Sequence, residues 1–170
     1  MNRDKMFALR RLTAGDLGDV LSLQDECVSQ LADPGLYYPL TTGEFRESLG
    51  MDIVIGAYDC DKLVAVAVIV VNRDGGRNLA VEAGCRPDST FTFDAVMVSP
   101  RSRGYGLQNI LLRQCIELAR KNNISHIVAT VSPDNSYSLD NFTRLGFEIV
   151  ATSRKYAGLV RHIIKYDVTG

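Results

Sequence analysis

Histidine is scarce in this chain. Only His126 and His162 occur, both in strand-like contexts, and two such residues make a histidine-based metal centre a poor expectation. The four cysteines, Cys27, Cys60, Cys85 and Cys115, include no C-x-x-C pair, which argues against zinc and against a disulfide framework. No metal is expected, and a reducing, cytoplasmic compartment fits best. Neither sign of charge is in excess: the formal net charge is −1 and the pI about 6.1. No nucleic-acid or anionic-membrane surface is therefore expected, and any bound anion must be held locally. The longest apolar run, "LVAVAVIVV" at 63–71, is too short to span a bilayer as a helix. The opening "MNRDKMFALRRLTAGD" has no signal-peptide core. Repeats, low-complexity tracts and linkers are missing too, so the expectation is one domain over 1–170.

What is present is ordinary globular material, 46% hydrophobic and 23% charged in 170 residues, enough for a sizeable core. Periodicity predicts a strand at 6–13, a helix over 17–31, and a short helix capped by Thr41 or Thr42. Two strands, 52–58 and 62–72, flank "DCD" as a hairpin, and 73–90 reads as an irregular loop. A strand at 91–99 leads to a helix running to about Asn122, with Leu107, Ile110, Leu111, Cys115, Leu118 and Ala119 on one stripe. Then come a strand at 124–131, a helix at 135–145 stopped by Gly146, and a strand pair turning at Ala157-Gly158. The two histidines read as strand residues with satisfied hydrogen bonds. The order β-α-α-β-β-β-α-β-α-β-β implies an α/β (α+β) layer domain.

The segment carrying chemistry is "VSPRSRGYGLQNILL", 98–112. Glycine loses more backbone freedom on folding than any other residue, so two glycines at a helix entrance suggest close approach of a partner. A helix N-terminus offers free N–H groups and partial positive charge, suited to phosphate. The alternative is a tight strand–helix turn with solvated arginines. No Gly-Lys-Ser/Thr follows, so it is no Walker loop, and the third glycine of a dinucleotide fingerprint is missing.

Read with its neighbours, Val98-x-Pro100-x-x-Arg103-Gly104-x-Gly106, followed some thirty residues later by a strand, Asn135 and a short helix ending Leu145-Gly146-Phe147, resembles the GNAT superfamily of acyl-CoA-dependent N-acyltransferases. The resemblance covers nearly the whole chain in element order, its motifs lying within about 91–147. It implies a mixed, mostly antiparallel sheet of about seven strands with about four helices. It also implies acetyl-CoA as acyl donor, held by Val96, Met97 and Val98 on a splayed strand. The amides of Arg103, Gly104, Tyr105, Gly106, Leu107, Gln108 and Asn109 would cradle the pyrophosphate, with Asn135 and Phe142 beside the cofactor arm. Asn135 reads equally as a helix N-cap.

Two positions depart from the family pattern. In the register Arg103-x-x-Gly106, Gln108 stands where Gly or Ala is usual. Its amide could donate to phosphate or crowd the helix approach. (Arg101-x-x-Gly104-x-Gly106 also fits, but lies close to Pro100.) Phe142 stands where many members carry a tyrosine that protonates the leaving thiolate, and a phenyl ring has no proton to give.

For deprotonating an amine, Asp94 is the obvious carboxylate; four residues before Val98, it should share that residue's face. Burial among Phe91 and Phe93 would have to raise its pKa. Otherwise it is a solvent-facing or salt-bridged acid. Tyr137 is the candidate acid, although its helix position should turn it elsewhere, and water is the alternative. By the same family resemblance, the Val98 amide would support an oxyanion. No cysteine is expected at a ping-pong position, so transfer should be direct, in a ternary complex. The unidentified amine acceptor, of a small molecule or peptide, would enter beside Tyr37 and Tyr38 and meet Tyr156 and Arg161. A non-catalytic acyl-CoA-binding module and another kind of phosphate-binding domain are the competing readings, and the chain is expected to be a monomer or homodimer.

Overall fold

The apolar run at 63–71 becomes the middle of a sheet covered on both faces. In the computed structural model, which describes residues 7–71 and 77–168, every side chain over 63–70 is buried. Unbroken apolarity is what a strand needs when helices pack on both its sides. This strand, β3 (Lys62–Val70), pairs antiparallel with β2 (Ile53–Asp59) and β4 (Thr90–Val98). With β1 (Ala8–Arg11), β5 (His126–Val131), β6 (Glu148–Lys155) and β7 (Leu159–Asp167), the described residues form a seven-stranded sheet ordered β1-β2-β3-β4-β5-β7-β6. The β4–β5 contact is parallel and the others are antiparallel. This is the mixed, mostly antiparallel α/β architecture expected from the sequence.

Alternation sorts β3 between two cores. Ala65, Ala67 and Ile69 join Phe91, Phe93, Phe142 and the buried faces of α3 (Leu107–Lys121) and α4 (Ser136–Arg144). Val66 and Val68 join Val20, Leu23, Phe45 and Leu49 of α1 (Leu17–Ser29) and α2 (Thr42–Met51). Of the two candidate caps for α2 it is Thr41, which accepts from the Glu44 amide while Glu44 reaches back to the Thr41 N–H. Gly146 ends α4 at φ +97°, as its position suggested. His126 bonds Asp167 and His162 bonds Thr152, each within a strand pair.

Three local readings change. β1 and β3 are shorter than expected, and Met6, Asn72 and 73–76 lie outside the described residues. The irregular segment carries two 3-10 turns, Val81–Ala83 and Pro87–Ser89. The stripe of α3 is rotated. Ile110 is 37% exposed, whereas Gln108, Leu112 and Ile116 are buried with Leu107, Leu111, Cys115 and Ala119. The helix is covered by the sheet and also, through Gln108, by α4.

Candidate active site

Within the stretch 92–98, where β4 pairs with β3, one residue has no partner. Phe93 lies opposite Ile69 and Ala95 opposite Val68, so Asp94 is the extra residue of a β-bulge. Beyond the bulge β4 also leaves β5. Their parallel pairing stops at Phe93–Ala129, although β4 continues to Val98 and β5 to Val131. The Ser99 amide donates to Val64 O at 2.8 Å, so by strand alternation Val96 and Val98 turn their N–H and C=O groups toward the gap. Met97, out of phase with them, faces β3 with its backbone and buries its side chain among the α1 and α2 residues.

The bulge also overturns the expectation that Asp94 and Val98 share a face. Phe91 and Phe93 pack on the α3 side, Ala95 and Met97 on the opposite side, and Val98 again on the α3 side. Asp94 points to the α2 side, where Arg77 donates to its Oδ2 at 2.7 Å. Sheet periodicity fails because one inserted residue reverses the alternation of all that follow. A cleft of about 590 Å³ passes through the strand gap and joins both sides.

On the α3 side the cleft begins at the glycine turn. After the 3-10 turn Pro100–Ser102, Gly104 and Gly106 have φ of +84° and +73°. A Cβ built on either would meet nothing within 4 Å, since both border the cleft. The first helical bond of α3 runs from Ile110 N to Gly106 O, leaving the amides of Leu107, Gln108 and Asn109 without intrahelical acceptors. Arg103, Leu107 and Gln108 line the cleft with them. Tyr105 and Asn109 do not: the Tyr105 ring packs edge-on against Phe7, and the Asn109 side chain donates to Asn141 at 3.0 Å.

The Gln108 side chain is committed elsewhere than to an anion. It donates to Ser138 Oγ at 2.9 Å and accepts from Asn141 at 3.2 Å, locking α3 to α4. Asn135 caps α4, accepting from the Ser138 amide at 3.1 Å, and borders the cleft in the same position. Phe142 is 3% exposed and packs edge-on against Phe93 and Phe147. Truncating it should leave a cavity beneath the strand gap; Phe142→Ala is expected to lower unfolding free energy by about 3 kcal/mol in urea titration. Tyr137, expected to turn away, instead stands on the cleft rim, 61% exposed.

On the α2 side, Asp94 sits in a charged cluster. Its side chain is 6% exposed, and burial, only partly countered by the Arg77 guanidinium, pushes its pKa up to about 6. Arg77 also bonds Ser48 and lies 3.7 Å from Asp52. Nothing in the sequence marked Arg77, because it lies on an irregular segment and meets Asp94 only through the chain's return. Burial also raises the Tyr37 hydroxyl, which donates to Gln24 at 2.9 Å. Tyr38 stacks on Tyr156 at 4.8 Å, and Tyr156 OH and Thr130 Oγ1 are hydrogen-bonded at 3.1 Å. Arg161, 4% exposed, donates to Gly35 O at 2.7 Å. All of these except Gln24, Gly35, Ser48 and Asp52 line the cleft.

A cysteine does reach the cleft: Cys27 on α1 donates its thiol to Val98 O at 3.4 Å, beside the strand gap. Its place in the apolar stripe of α1 gave no hint of that. Burial pushes this thiol up to about 11, so roughly one molecule in 10⁴ carries the thiolate at pH 7. Among the described residues no group of three or more His, Cys, Asp or Glu could hold a metal ion, and no helix is long and apolar enough to cross a membrane.

The model of the acetyltransferase (GNAT) family matches residues 19–147. Among solved structures, the ribosomal-protein-S18-alanine N-acetyltransferase of Escherichia coli superposes with a TM-score of 0.76 at 17% identity, covering 96% of this chain and 94% of that one. An N-acetyltransferase from Staphylococcus aureus gives 0.74 at 18%, covering 97% and 99%. The yncA protein of Salmonella typhimurium, solved with its cofactor acetyl-CoA, gives 0.69 at 20%, covering 95% and 94%. No curated protein matches the chain in sequence.

Proposed function

The chain belongs to the acetyltransferase (GNAT) family, and from that premise we propose that it transfers an acetyl group from acetyl-CoA to a primary amine by direct attack in a ternary complex. The observation that carries this reading is the continuity of the cleft. It runs from the Gly104–Gly106 turn through the gap between β4 and β5 to a buried carboxylate. The residues suit the donor. Open space over both glycines and the free amides at the start of α3 suit a pyrophosphate, and the β4 edge that β5 leaves open at Val96 and Val98 suits an amide-bearing arm. Bound acetyl-CoA supplies a thioester-activated acetyl group.

Asp94 is the proposed base. An amine of pKa near 10.4 arrives protonated at neutral pH, and a carboxylate raised to about 6 accepts that proton better than an ordinary aspartate. The Val98 N–H, facing the gap, is the proposed donor where negative charge develops on the acyl oxygen. Phe142 has no proton to give, so water or Tyr137 at the rim protonates the departing sulfur.

Phe142 is also what favours a second reading, a module that binds acyl-CoA without turning it over. Acetyl-CoA-dependent release of free thiol over an amine panel separates the two. Amine-dependent release, with mass-verified N-acetyl product, is the expected result; tight acetyl-CoA binding without release for any amine would support the module. Tyr137→Phe should retain the wild-type pH–rate profile if water is the acid. Loss of a basic limb near pH 10, with binding intact, would assign the proton to Tyr137.

A further inference from the structure

The acceptor end of the cleft contains a buried cation with no carboxylate partner among the described residues. Arg161 is 4% exposed and borders the cleft. Its Nη2 donates to Gly35 O at 2.7 Å and its Nη1 to Val160 O at 3.0 Å, and the guanidinium carbon lies 5.8 Å from the Tyr156 ring centre. The field of Asp33 reaches it, but that carboxylate caps the 3-10 turn Pro34–Leu36 by accepting from Gly35 N at 2.8 Å. A guanidinium carries five N–H donors, and these contacts engage two. Neutral donors could serve two carbonyls at far lower desolvation cost, so the charge itself calls for an explanation.

Its placement supplies one. Along β7, Arg161 and Ile163 share a face, and Ile163 packs against Leu79, whose amide bonds Thr92 Oγ1. Thr92 and Asp94 therefore look out on the same side of the sheet as Arg161. Strand order puts β5 alone between β4 and β7, so the two backbones are on the order of 10 Å apart where all three strands pair, at Phe93, Ala129 and Ile164, and farther apart toward Arg161, where β4 has left β5. A buried anion and a buried cation thus flank one strand, with Tyr37, Tyr38 and Tyr156 among the walls between them. That arrangement complements a molecule with an ammonium at one end and a carboxylate at the other, and guanidinium matches carboxylate through paired N–H donors.

We propose that Arg161 anchors the acceptor by its carboxylate, and that the acceptor is an amino-carboxylate of the amino-acid class rather than a simple amine. The inference rests on the acetyl-transfer reading for its catalytic consequence, but the binding it asserts is separable from turnover.

The test compares α-amino acids with their carboxamides and with the corresponding decarboxylated amines, as acetyl acceptors and as ligands of the enzyme saturated with CoA. Wild-type enzyme should favour the carboxylates by about 30- to 100-fold in kcat/KM, the range expected of a buried charge-assisted hydrogen bond, mainly through KM. Arg161→Gln should reduce that preference to within about threefold. Arg161→Lys, which keeps charge but loses the fork, should retain part of it. Acetyl-CoA affinity and circular dichroism report folding, and should both variants unfold, the wild-type preference alone decides. Carboxamides turned over by wild type as well as the acids would overturn the anchor and leave acetyl transfer standing. Acetylation of no amine, with saturation-transfer NMR still showing Arg161-dependent binding of amino acids, would overturn the catalytic reading and keep the anchor.

Discussion

Asp94→Asn should lower kcat for an identified amine by about 10²- to 10⁴-fold, the usual worth of general-base assistance, while acetyl-CoA affinity stays within about twofold. The motive is a carboxylate that is 6% exposed and raised by burial to about 6, at the point where β4 leaves β5. The base acts when ionised, so wild-type kcat should rise through pH 6 and lose about tenfold per unit below it. In the variant that limb disappears, and the rate follows the amine's own ionisation at higher pH. The same shift has a consequence for stability. Between about 3.8 and about 6 the folded chain holds this proton more tightly than the unfolded chain does. Asp94 thus removes stability as pH rises through that window, by about 3 kcal/mol above it, and the Asn variant should lack this decline. Wild-type turnover by Asp94→Asn at pH 7 would make the residue structural and sink its assignment as base.

Gly106→Val should weaken acetyl-CoA binding by about 10²- to 10⁴-fold, as though two charge-assisted amide contacts were lost. The site for the added side chain is open cleft, so the bulk would stand where backbone must approach phosphate. A φ of +73° also strains a β-branched residue, so the variant itself should be less stable. Gly106→Asn separates the two effects, because asparagine tolerates that conformation while still placing atoms over the turn. Calorimetry on folded Gly106→Asn is expected to show most of the loss. Full affinity in both folded variants would remove the turn from the binding site.

The sequence by itself determined the elements and the turn. Unbroken apolarity over 63–70, helical spacing over 107–119 and Gly146 at a helix end are local signals, each fixed by the chemistry of adjacent residues. The Gly104–Gly106 pair belongs with them, since positive φ is nearly a property of the residue type. The sequence also exposed Asp94 as the carboxylate on the strand before that turn. Only the tertiary structure decided which way Asp94 faces. A bulge is a mismatch between two strands, and alternation within one strand cannot register it. Burial and Arg77 likewise come from distant segments, and they set the proton affinity of that carboxylate. Gln108 was legible as a departure, but its pairing with Ser138 and Asn141 depends on how α4 docks. Arg161 was visible as an arginine in a hairpin. That it lies buried without a carboxylate partner among the described residues, across β5 from Asp94, is a property of strand order, which residues far apart along the chain establish together.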